Sequence, residues 1–173
     1  ALEKAGLSQV PVISLSTSGI EKNPGFRFTR PLVNKALMAL VYGDIFMKVV
    51  YKTRPYEAEK GSVNALHKKW VDIVKEDLKT GHLRKYRQNI KNIVKEFDEI
   101  PILDIKKPKV GVVGEILVKY HPTANNDIVT LLESEGAEAV VPDLLDFFYY
   151  CSYNAKYKHE HFGFPLKTWL INK

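Results

Sequence analysis

The chain has 173 residues, 45% of them hydrophobic and 27% charged, enough apolar mass to bury a core and too much for intrinsic disorder. Its formal charge of +6 is concentrated between Lys48 and Lys109, where 16 Lys and Arg face 9 Asp and Glu. Such a stretch can attract nucleic acid, anionic lipid or a phosphate-rich ligand such as CoA, but no nucleic-acid module or aromatic–basic interleaving accompanies it, so it reads as solvated helix faces with lysines outward.

In chain order, Ala1-Leu-Glu-Lys-Ala-Gly6 reads as the last turn of a helix closed by Gly6, so the chain is expected to be a domain excised from a longer protein. Gln9–Ser16 has the β-branched content of a strand, and Thr17-Ser18-Gly19 leaves it as a loop. Thr29 caps a helix with Pro31 in its first turn, predicted to run from about Arg30 to Thr53. This helix is apolar around most of its circumference, but Asp44 and Lys48 interrupt its most hydrophobic stretch, Ala36–Tyr51, which is also short for a membrane span. Ser62 is the expected cap of a second helix with an inner stripe of Val63, Leu66, Trp70, Ile73 and Val74, ended by Gly81. A third presents Leu83, Tyr86, Ile90, Ile93, Val94 and Phe97.

After a linker over 99–108, Lys109–Gly114 suits a buried parallel strand, and Ala137–Val141 a second, with a helix capped by Asn125 or Asn126 between them. A helix from Asp143 to about Tyr157 follows, then a short apolar segment around Trp169. The fold class this implies is α/β: a Rossmann-like parallel sheet with a helical insertion of about three helices. Residues 1–173 form one domain on this reading, with the insertion over 30–98 and a strand–helix–strand–helix unit over 109–157.

Open parallel sheets bind ligands beyond the carboxyl ends of their strands. Two loops meet that description, Ser14–Glu21 and Gly114–Asn126. In the second, Glu115 can act as a base or bond loop amides, Lys119 can pair with an anion, and His121 can titrate or hydrogen-bond a carbonyl. Asn125 and Asn126 can hold an anion at a helix start or simply cap it. Ser16 and Ser18, with Thr17, can hold phosphate oxygens or belong to an ordinary turn. Gly111 and Gly114 are too few for a dinucleotide fingerprint. The single cysteine, Cys151, excludes an internal disulfide and an iron–sulfur cluster ligated wholly by this chain, and points to a reducing, cytoplasmic setting. His159 and His161 with Cys151 match no common zinc spacing.

Four blocks resemble the C-terminal region of CoA-substrate-specific enzyme activases, the 2-hydroxyacyl-CoA dehydratase activator-related proteins. They are Pro11–Leu15 with Ser18–Phe26, Lys35–Asp44, Lys109–Asn126 and Glu135–Phe148. The Gly114-Glu115 loop followed by Pro122-x-x-Asn125 also resembles the dehydratase component. The resemblance implies a parent protein with ATPase modules and iron–sulfur cysteines, in which ATP hydrolysis drives a low-potential electron into acyl-CoA dehydration. It implies that Gly114, Glu115, His121, Pro122, Asn125 and Asn126 face a cluster or substrate in the intact protein. No cofactor is expected in this segment, because it carries no Walker-type loop and no cysteine cluster. The expected partners are other domains of the parent, an acyl-CoA or a dehydratase subunit, with neither nucleic acid nor membrane. Two other readings stay open: a non-catalytic scaffold docking through Ala36–Tyr51, and an independent CoA or small-ligand domain.

Overall fold

A computed structural model describes residues 3–6 and 29–163. The predicted strand Gln9–Ser16, the loop with Ser16 and Ser18, the first block of the resemblance and the segment around Trp169 lie outside the described residues. Glu3–Ala5 form one 3-10 turn, with Gly6 at φ +70° behind it. Six helices follow: α1 (Arg30–Thr53), α2 (Ser62–Thr80), α3 (Leu83–Asp98), α4 (Ile116–Tyr120), α5 (Ile128–Ser134) and α6 (Leu144–Phe162). Two short strands, β1 (Lys109–Gly111) and β2 (Glu138–Val140), pair in parallel with Lys109 opposite Glu138.

This corrects the expected Rossmann-like sheet with a helical insertion. Helices make up 69% of the described residues, and the only sheet among them has two strands. The reason lies in where apolar surface finds partners. Tyr42, Phe46 and Val50 of α1 pack with Val63, Trp70 and Val74 of α2 and Ile93 and Phe97 of α3, so the helices expected as an insertion are themselves the main core. β1 is exposed along its length, whereas strands inside a doubly covered parallel sheet are buried on both faces. Among the described residues the apolar run at 109–114 therefore marks a three-residue edge pairing and not the centre of a large sheet.

Local signals explain the helix ends. Thr29 Oγ1 accepts the Leu32 N–H at 3.3 Å, and Pro31 occupies the first turn of α1. The start of α2 is held by Glu57 instead of Ser62. Its carboxylate accepts the N–H groups of Gly61 at 2.8 Å and Val63 at 3.0 Å, and the Ser62 hydroxyl donates to it at 3.3 Å. No described helix is long and apolar enough to cross a membrane.

One polar cluster sits inside the three-helix core. Asp77 is fully buried, and its Oδ2 accepts from Tyr42 Oη at 3.0 Å and Asn89 Nδ2 at 3.1 Å. Its Oδ1 accepts no hydrogen bond, but the Lys85 ammonium lies 3.5 Å away and balances the charge. Burial pushes the Tyr42 phenol well above its ordinary range, and the neighbouring Asp77 charge adds to the rise. A raised folded pKa favours the neutral phenol, so this contribution is complete below the unfolded value of about 10 and fades as the pH climbs beyond it. Urea midpoints are expected to fall as the pH rises beyond about 10, and to fall less steeply in Tyr42→Phe. Equal slopes in the two proteins would remove Tyr42 from the account.

The strand–helix unit is attached to α1 through polar contacts. Arg54, just after α1, grips Glu133 of α5 with Nε–Oε2 at 2.7 Å and Nη2–Oε1 at 2.9 Å. Tyr56 Oη donates to the buried Glu138 at 2.7 Å, and Lys109 Nζ pairs with the same carboxylate at 3.0 Å. Asp44, on α1 and almost fully buried, accepts the backbone N–H groups of Leu144 and Leu145, both at 2.9 Å. Lys48 reaches Asp143 at 2.7 Å beside it. The first turn of α6 is thus capped by a residue 100 positions earlier in the chain.

Candidate functional site

The segment after β1 is shaped by its own backbone needs. Gly114 sits at φ +135°, a conformation that side chains rarely adopt, and lets the chain leave the strand sharply. Glu115 then caps α4, with Oε2 accepting the Leu117 N–H at 2.9 Å. What the sequence presents as a thirteen-residue loop therefore holds a short helix, whose presence a lone carboxylate before Ile116-Leu-Val was the signal to find.

The other candidates are also tied into local structure. Lys119 Nζ lies over the Tyr120 ring, 5.2 Å from its centroid. His121 closes α4 through its backbone N–H to Leu117 O at 3.0 Å, and its Nδ1 accepts the Ala124 N–H at 3.3 Å. That bond assigns the ring proton to Nε2 when the imidazole is neutral. Asn125 spans the turn: Nδ2 donates to Val118 O at 2.8 Å and Oδ1 accepts the Ile128 N–H at 3.3 Å. Asn126 and Asp127 follow with φ +55° and +52°, two consecutive residues in the left-handed region.

An open groove of about 430 Å³ lies between β1, α4 and α5. Asn125 and Asn126 are its polar edge, and Val110, Val113, Val118 and Leu132 supply much of its apolar wall. The structure thus brings the two asparagines to one groove. Gly114, Glu115, Lys119 and His121 are exposed or half-buried along the same turn but do not line it. Ser16 and Ser18 lie outside the described residues. The groove can take a flat or aliphatic group against valines, with the free part of the Asn126 amide as an anchor.

The third and fourth resembling blocks meet nearby. Tyr120 Oη donates to Pro142 O at 2.8 Å, which places α4 beside the start of α6. Burial raises the Tyr120 phenol pKa, and the charges of Asp44, Asp143 and Asp146 add to the rise. Those carboxylates gather at the positive end of α6, where negative charge is favoured. Asp44 and Glu138 are the residues whose roles the sequence reading missed, and their signal was a carboxylate inside an apolar run.

Cys151 is exposed on α6, and no group of three or more His, Cys, Asp or Glu converges among the described residues. His161 Nδ1 lies 3.0 Å from Tyr157 O, and its ring stacks on Tyr157 at 4.1 Å. Comparison with protein-family models, curated proteins and solved structures finds no match to this chain.

Proposed function

We propose that this chain is a docking domain of a 2-hydroxyacyl-CoA dehydratase activator-related protein, presenting a surface to other domains of its parent or to a dehydratase subunit. ATP hydrolysis and cluster chemistry then belong to those partners, and this domain supplies attachment and position. The observation that carries the reading is α6. None of the described side chains in this nineteen-residue helix is buried, although it carries two phenylalanines and several tyrosines exposed to solvent. Tyr149, Tyr150, Tyr153 and Tyr157 fall within one arc of the helix, the amphipathic aromatic surface that protein interfaces favour.

Further support comes from the blocks that carry the resemblance. Asp44 of the second block caps the helix of the fourth, and Tyr120 of the third bonds Pro142 of the fourth. Residues similar to one family's pattern are therefore coupled in space, as parts of one surface would be. The reading draws nothing from a Rossmann-like sheet.

The test uses the remaining segments of the parent reading frame, expressed separately and titrated with this chain. Binding is expected, and Tyr149→Asp with Tyr153→Asp should weaken it by about ten-fold or more, the scale of an aromatic interface anchor. The urea midpoint of the free double variant should stay within about 0.5 kcal/mol of wild type, because both side chains are solvent-exposed. No binding, or binding indifferent to the two substitutions, overturns the proposal. So does a stable iron–sulfur chromophore after anaerobic reconstitution of this chain alone.

A further inference from the structure

The carboxylate at the centre of the three-helix core has its counter-ion on the surface. Asp77 is fully buried, whereas the side chain of Lys85, with its ammonium 3.5 Å from Asp77 Oδ1, is 54% exposed. We propose that Lys85 is a charge switch: neutralising its ammonium, as acylation by an activated carboxyl donor does, opens the three-helix core. The switch is independent of the docking reading.

All three helices meet at this carboxylate. Asp77 belongs to α2, and its Oδ2 accepts from Tyr42 Oη of α1 at 3.0 Å and from Asn89 Nδ2 of α3 at 3.1 Å. Oδ1 accepts no hydrogen bond, and among the described residues Lys85 is the one cation within ion-pair distance. Two neutral donors therefore orient Asp77, and a single lysine balances its charge. Other ion pairs lack this asymmetry. Asp72 and Glu96 can fall back on water when Lys75 and Lys69 leave them. Glu138 is nearly as buried as Asp77, but Lys109 and Tyr56 engage both of its oxygens.

The position of Lys85 on α3 points the same way. It stands in the first turn of the helix, where the dipole disfavours a cation. Local helix chemistry gives no reason for a lysine there, and Asp77 supplies one. Acylation joins Nζ to the acyl carbon while the bond from that carbon to its leaving group breaks. Two of the three ammonium protons depart, one with the leaving group and one to solvent, and the amide that remains is neutral. Asp77 is then an uncompensated charge inside the core, a strongly destabilising defect. Rehydrating it requires the helices to part.

The test measures urea unfolding of full-chain variants. Lys85→Gln is expected to raise the unfolding equilibrium constant by about ten-fold, and the charge-conserving Lys85→Arg by less than about two-fold. In an Asp77→Asn background, Lys85→Gln should be neutral or slightly stabilising, because only the helix dipole is left for it to act on. The wild-type chain gives a second readout. After partial acetylation with acetic anhydride and brief thermolysin digestion at the urea midpoint, mass spectrometry should find acetyl-Lys85 concentrated among the cleaved chains. Acetyl-Lys75, whose partner is exposed, should be shared evenly between cleaved and intact chains. Unchanged stability in Lys85→Gln, the same loss in both backgrounds, or an even distribution of acetyl-Lys85 overturns the proposal.

Discussion

Asp77→Ala is expected to lower the unfolding free energy by about 3–5 kcal/mol, the range for removing one member of a buried charged network. Domains of this size are stable by roughly 5–15 kcal/mol, so the variant should be partly unfolded at moderate temperature. The cause is what remains behind. Tyr42 Oη and Asn89 Nδ2 both donate to Asp77, and truncation leaves the Asn89 amide without this acceptor and the phenol with only a long 3.5 Å contact to Tyr86 O. Lys85, more than half exposed, can turn to water and recover its hydration. Replacing the whole set with Tyr42→Phe, Asp77→Leu and Asn89→Leu should therefore recover most of the loss, because apolar residues of similar volume often match a buried polar network. Urea titrations of the single and triple variants check both statements. A triple variant no more stable than Asp77→Ala would show that the network does more than satisfy itself.

Asp44→Ala is expected to cost about 2–3 kcal/mol and to act at the opposite end of the chain from its own sequence neighbours. The Asp44 carboxylate accepts two backbone N–H groups at 2.9 Å, while Asp143, the residue before α6, makes no capping bond of its own. Without Asp44 the first turn of α6 loses its acceptor and a buried anchor to α1 together. The amides of Leu144 and Leu145 should lose hydrogen-exchange protection, and far-UV dichroism should report a shorter helix. Lys48→Ala is the contrast: its ammonium is mostly in solvent, so the ion pair to Asp143 should contribute less than about 1 kcal/mol. Intact protection at Leu144 in Asp44→Ala would show that another group holds the helix start.

The helices were legible because their signals are local. Thr29 and Pro31 open α1, Gly81 closes α2, and the stripe from Val63 to Val74 fixes the buried face of α2. The sheet was misread because an apolar run such as Val110-Gly-Val-Val113 does not state how many strands lie beside it. Caps supplied from a distance were equally hidden. Glu57 stands five residues before the helix it serves, and Asp44 one hundred before. At the candidate turn, the types of Glu115, His121 and Asn125 suggested chemistry, and the structure gives each a backbone group to satisfy.

The junction between the helical core and the strand unit includes charged and hydroxyl groups: Arg54 with Glu133, Tyr56 with Glu138, and Asp44 with the α6 amides. The apolar cluster around Trp70 takes no described residue from beyond Ile100, so the second unit is fastened outside the core that the three helices share. Gentle denaturation should then proceed in stages, with residues after 109 becoming open to proteases while Trp70 stays enclosed.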